Sequence, residues 1–256
     1  MNIARGVIAG FLSTVCSHAA MAVPTEIVVR AMAKDAKFIG HPDENGVQIT
    51  LRDVQTGKVL AQGVTKGGNG QTATIMTTGH LRRQIISEGG SKFSATIDLE
   101  RPRLISVTAT GPIVPKGAAL TVTSSQWVLP GKSINGGDGW VLEIPGFAIE
   151  LVDPLPANVR LNGKAVEIPI HANITMQCNC ELEPGGLWDP NKFEIGAMLE
   201  KDGKSYPATP LAYAGKASMF GGNITIREPG DYMVDVYAYD PSNGNTGLAQ
   251  VKVTAR

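Results

Sequence analysis

Met176, Cys178 and Cys180 stand at alternate positions within AVEIPIHANITMQCNCEL, residues 165–182. Thioether and thiolate donors of this kind suit Cu(I). On a strand, residues two apart are separated by about 6 to 7 Å and face the same way, so a low-coordinate soft-metal site could draw on both cysteines and on Met176. His171 precedes the series at the other parity and could join only through a bend, while Met198 could approach from a neighbouring strand. Two alternatives stay open. The cysteines could close a disulfide, which an oxidising compartment favours although the short ring is geometrically demanding. They could also stay reduced as small buried groups beside an adaptable methionine.

Other reactive side chains form weaker patterns. His41 lies beside Asp43 and Glu44, and a divalent-ion site there would need further oxygen ligands from Asp189, Asp231, Asp235 or Asp240, whose spacing defines no calcium loop. His80, close to Arg82 and Arg83, lacks a positioned chemical partner in the sequence. Gly131-Lys132-Ser133 ends like a phosphate loop, but Gln126 stands where the leading glycine belongs. Nucleophile-elbow, zinc-protease and dinucleotide-binding signatures are absent. Trp127, Trp140 and Trp188 could stack on carbohydrate, anchor a protein partner or fill a core. Trp188, in the loop GGLWDP, is the expected recognition residue.

The elements that must position these groups read as strands. Ile174, Met176, Cys178, Cys180 and Leu182 share one parity, and Asn173, Thr175, Gln177, Asn179 and Glu181 share the other, which predicts one strand with a core side and a polar side. Val47, Ile49 and Leu51 alternate before a Thr56-Gly57 turn, predicting a hairpin. Further strands are expected at 24–33, 72–76, 93–99, 104–110, 120–128 and 147–151. Pairs are expected around Asn162-Gly163, around Asp202-Gly203 and across 241–247, where Asn and Gly permit positive backbone torsions. In the last pair Tyr232, Val234 and Val236 are expected to face the same core as Ala249, Val251 and Val253.

The fold class is therefore all-β, with tandem antiparallel β-sandwich domains. Residues 1–22 read as a signal peptide, having a basic start, an apolar run too short to span a bilayer and an Ala20-Met21-Ala22 cleavage sequence; Cys16 lies in a poor context for lipidation. Residues 23–111 form the first domain, 112–145 a connecting or domain-packing segment, and 146–256 the second domain. Cleavage removes Arg5 from a balance of 23 basic and 23 acidic side chains. The near-neutral remainder provides no field for nucleic acid or an anionic membrane.

GVQITLRDVQTGKVLAQGVT and FSATIDLERPRLISVTATG resemble transthyretin-like, or prealbumin-like, β-sandwich modules of exported proteins. That resemblance implies a binding or spacer module and carries no catalytic residue. The stretch GDYMVDVYAYDPSNGNTGLAQVKVTAR is similar to immunoglobulin-like or fibronectin-like bacterial modules, which implies a tyrosine-corner contact for Tyr232. The expected function is that of an exported, non-enzymatic protein-interaction or structural subunit, periplasmic or extracellular, requiring no cofactor and having no membrane span after signal cleavage. The alternatives are a periplasmic Cu(I)-binding protein using Met176, Cys178, Cys180 and His171, and a carbohydrate-binding module using Trp188, Trp140 and Trp127.

Overall fold

The computed structural model describes residues 21–40, 46–77, 84–152 and 158–256. Most of the expected signal peptide, with Cys16, lies outside the described residues, as do His41, Asp43, Glu44, His80, Arg82 and Arg83. The described chain is almost entirely β-strand, arranged as two antiparallel sandwiches in tandem.

The first half supplies β1 (Val23–Ala33), β2 (Gln48–Asp53), β3 (Val59–Val64), β4 (Lys66–Asn69), β5 (Gly90–Leu99), β6 (Arg103–Gly111), β7 (Leu120–Val128) and β8 (Trp140–Ile144). They form two sheets, ordered β4-β5-β1-β8 and β3-β2-β6-β7. Ile27, Val29 and Ala31 of β1 meet Ile49 and Leu51 of β2 and Ile105 and Val107 of β6 in one buried core. Each such aliphatic side chain contributes about 1.5 to 3 kcal/mol on full burial. The stretch 112–145 contributes two edge strands: β7 pairs along the whole of β6, and β8 lies parallel to β1. Residues 73–77, expected within a strand, instead form a π-helical turn that buries Ile75. A single well-filled apolar position can serve a turn as well as a strand.

The second half supplies β9 (Phe147–Leu151), β10 (Asn158–Val159), β11 (Val166–Met176), β12 (Glu194–Lys201), β13 (Lys204–Ser205), β14 (Thr209–Pro210), β15 (Ala212–Tyr213), β16 (Met219–Ile226), β17 (Gly230–Asp240) and β18 (Asn245–Ala255). One sheet runs β15-β16-β11-β9 and the other β10-β18-β17-β12-β13, with β14 also on β12. Tyr232, Val234 and Val236 lie opposite Val253, Val251 and Ala249, as the shared parity requires. The Tyr232 hydroxyl donates to the Glu228 carbonyl at 2.9 Å, closing the corner between β16 and β17. Asp202 and Gly203 both take positive φ in the β12–β13 turn. Asn162 and Gly163 also turn with positive φ, but β10 before them pairs in parallel with β18 and not with β11.

The β2–β3 hairpin is fixed by Asp53. Its Oδ1 accepts the N–H of Gln55 at 2.8 Å and of Thr56 at 2.9 Å, and its Oδ2 lies 3.0 Å from Arg103 Nη1 on β6. The Thr56 N–H, helped by the Gln55 N–H and Arg103, holds the carboxyl below its ordinary value against the opposing effect of burial. A depressed carboxylate stabilises the fold fully above its unfolded value of about 3.9 and loses that effect as pH falls through the folded value. Asp53→Asn should therefore lower the urea midpoint at neutral pH and flatten the stability profile below about pH 4. An unchanged profile, followed by circular dichroism, would remove Asp53 from this role.

Candidate functional site at the domain junction

The expected strand through residue 182 ends at Met176. Asn179 takes φ 60°, a conformation asparagine tolerates because its short side chain bonds locally. Asn179 N donates to Met176 O at 2.9 Å and Met176 N to Cys180 O at 3.0 Å, while Thr175 bridges Glu181. The chain thus reverses through the cysteines, bringing their Cα atoms to 5.3 Å, and Cys178 is disulfide-bonded to Cys180. This corrects the Cu(I) expectation: both sulfurs are consumed in one bond, so neither is a thiolate donor.

The remaining expected ligands do not converge either. Met176 is buried on the core side of β11, whereas His171 is exposed at the other parity of that strand, opposite Gly221 of β16. Met198 lies on β12 in the facing sheet. Each acidic candidate among the described residues has a hydrogen-bond partner. Asp189 caps residues 190–192 through the Asn191 N–H, which holds its carboxyl below the ordinary value. Asp231 accepts from Thr254, Asp235 from Gln250, and Asp240 from Ser242 and Asn243. Among the described residues no group of three or more His, Cys, Asp or Glu side chains could hold a metal ion.

The polar parity of residues 173–181 has a different role from the expected solvent face. Gln177 is 1% exposed, because the first sandwich packs on the turn. Its Nε2 donates to Ala118 O at 3.0 Å and Pro145 O at 3.2 Å. Asn69 of β4 donates to the Cys178 carbonyl at 2.5 Å. Gly146 N donates to Asn245 Oδ1 at 2.5 Å, and Asn245 Nδ2 donates to Gly146 O at 3.2 Å, so one carboxamide satisfies both backbone groups of the linker. Gly146 has φ 113°, and a Cβ there would lie 2.7 Å from Gln177 Nε2. Asn243 bonds Asp35 at 2.6 Å and Lys34 donates to Asn243 O at 3.0 Å. Beside these contacts a polar cleft of about 550 Å³ opens between the sandwiches, lined by Lys37, Asn69, Asn173, Asn179, Glu181 and Trp188.

The tryptophans do not share a surface. Trp188 is half-buried against the core and its Nε1 donates to Asp35 O at 3.1 Å, placing it across the junction. The loop composition around it reported accessibility of the backbone, not the direction of the ring. Trp140 is buried on β8 and bonds Ser124 Oγ at 3.3 Å. Trp127, at 60% exposure, stands on the outer face of β7. An aromatic groove of about 570 Å³ lies elsewhere, between β14 and β15, lined in part by Phe193, Tyr213, Phe220 and Tyr237. Phe193 comes from the turn ahead of β12, and Tyr213, Phe220 and Tyr237 from three separate strands, so no local pattern links them.

No protein-family description matches the sequence, and no curated protein matches it. Among solved structures, fibronectin(III)-like modules of Clostridium thermocellum CbhA align over 91% of this chain and 94% of theirs, at 11% identity and TM-score 0.27. The titin I-band fragment I67-I69 aligns over 92% of this chain and 66% of its own, at 11% identity and TM-score 0.24. Titin tandem domains A164-A165 align over 92% and 97%, at 11% and 0.24. These are distant likenesses to chains of immunoglobulin-like and fibronectin-like modules, and at such scores they say nothing of activity or partner.

Two outcomes follow from the junction. Asn245→Ala orphans a buried N–H and a buried C=O on Gly146 and should cost about 2 to 4 kcal/mol, read as a lower denaturant midpoint; a loss under about 0.5 kcal/mol would show that water replaces the amide. Replacing Cys178 and Cys180 together by alanine removes a three-residue loop closure worth about 1.5 kcal/mol. The oxidised wild type and the double variant should both retain no Cu(I) after desalting, and stoichiometric retention by the wild type alone would restore the cysteines as ligands.

Proposed function

We propose that this protein is an exported, non-enzymatic interaction or structural subunit, periplasmic or extracellular, that presents a sheet edge to another protein chain. The observation that carries the reading is β7. It ends the sheet β3-β2-β6-β7, extends for nine residues, LTVTSSQWV, and contains no charge, proline or glycine. An exposed strand of that kind offers a row of backbone donors and acceptors for strand addition. The short link between the sandwiches supports the same reading, since a fixed junction holds such an edge in one direction. The first sandwich is read as a transthyretin-like binding or spacer module and the second as an immunoglobulin-like support. No cofactor enters this function.

A photoreactive phenylalanine analogue at Thr123, exposed on β7, should give one discrete cross-linked adduct in intact source cells. The same analogue at Ser205, exposed on β13, should not. Adducts absent at both positions, or identical at both, would refute the docking edge.

A further inference from the structure

Among the described residues, every sheet edge of the two sandwiches except β7 carries a feature that discourages strand addition. β3 has a register shift against β2 and contains Gly63; β4 has a shift at Gly68/Asn69 and carries Lys66. β8 and β9 are five residues each and carry Glu143 and Glu150. β10, β13, β14 and β15 are two residues each. Bulges, charges and short length are the usual devices against edge pairing. Among the described residues, no backbone bond beyond the β6 ladder reaches β7.

The side chains of β7 divide by strand parity, with Leu120 (42% exposed) and Gln126 open to solvent on the core-side parity. Its register with β6 places Leu120, Val122, Ser124, Gln126 and Val128 on the core side, opposite Gly111, Ala109, Val107, Ile105 and Arg103. Thr121, Thr123, Ser125 and Trp127 occupy the outer face and are exposed. Two hydroxyl pairs already link that face to β6, Thr110 to Thr121 at 2.8 Å and Thr108 to Thr123 at 3.1 Å.

Resting on the edge-docking reading above, we propose that the chain accepted by β7 is the β7 of a second copy, antiparallel about a two-fold axis through Ser124. A two-fold perpendicular to the sheet keeps core-side positions opposite core-side positions, and the register centred on Ser124 uses all nine residues. It sets Leu120 against Val128 of the second copy, Val122 against Gln126, Thr123 against Ser125, and Thr121 against Trp127. Each outer pair continues the hydroxyl-rich face, and each core-side pair retains its layer. With no ionisable side chain on its nine residues, self-pairing of the edge brings no like charges together. Thr–Ser pairs and aromatic–β-branched pairs across strands are favourable. The result is a continuous eight-stranded sheet. One edge about 30 Å long is a small interface, so the dimer belongs to the weak class, with a Kd on the order of 10 µM.

The test uses sedimentation velocity on the whole chain from about 1 to about 300 µM, a range that brackets that affinity. The wild type should pass from one chain mass to two. Thr123→Lys, an exposed change that gives up the surface hydroxyl pair with Thr108 and should leave the chain folded by circular dichroism, places two lysines beside the axis and should weaken association at least about tenfold. In a Cys16→Ser background the native pair Cys178–Cys180 is bonded, leaving an introduced thiol free. Ser124→Cys should then oxidise to a covalent dimer, since facing residues of an antiparallel pair fall within disulfide reach. Thr121→Cys should not self-link, because this register separates the two copies of residue 121 by about 20 Å. A wild type that stays monomeric throughout overturns self-pairing; the photo-cross-link at Thr123 then reports separately whether a different chain occupies the edge. A dimer that survives Thr123→Lys, or that links equally through positions 121 and 124, overturns the β7 register.

Discussion

Between Ile144, the end of β8, and Phe147, the start of β9, only Pro145 and Gly146 carry the chain from one sandwich to the next. So short a link brings the backbone into a buried position, where an unpaired N–H or C=O is costly. Asn245 meets both demands on Gly146, and Gln177 takes the Pro145 carbonyl. Close packing follows. Gly247 of β18 has no room for a Cβ, which would lie 2.5 Å from the Phe147 carbonyl oxygen. The contacts of Asp35 with Trp188 and Asn243 then secure the periphery of a junction whose centre is already constrained.

The constraint also explains why the cysteine turn is structural. Its carbonyl at Cys178 accepts from Asn69 in the first sandwich, and its glutamine side chain reaches Ala118 and Pro145. A disulfide across the turn limits the conformations of the loop that must present those groups. The same residue types on an open strand would have been available to a soft metal. Reversal of the chain at Asn179 is the difference.

Where the junction is tied by many polar contacts, the outer edge of β7 has, among the described residues, no backbone partner beyond its ladder with β6. The two features suit the strand-presenting role proposed above: one fixes the relation of two modules, the other leaves backbone hydrogen-bonding capacity unused. Its hydroxyl face is uncharged, so attraction there is short-range and depends on register.

Local patterns in the sequence were sufficient wherever one strand and its immediate turn decide the outcome. Alternation placed Val47, Ile49 and Leu51 inward, the shared parity of Val234 and Val251 fixed their common face, and Asp202-Gly203 marked a turn, because side-chain period and positive φ are properties of a few neighbouring residues. Tyr232 reached its corner carbonyl only four residues upstream. What the tertiary structure alone decided are the pairings between distant segments: β8 parallel on β1, Asn69 on Cys178, Asn245 on Gly146, and the burial of Gln177 on the parity that alternation assigns to solvent. Alternation reports that a strand has two faces. Whether the second face meets water or another sandwich depends on chain more than 100 residues away in the case of Asn69 and Cys178, and no local period encodes that contact.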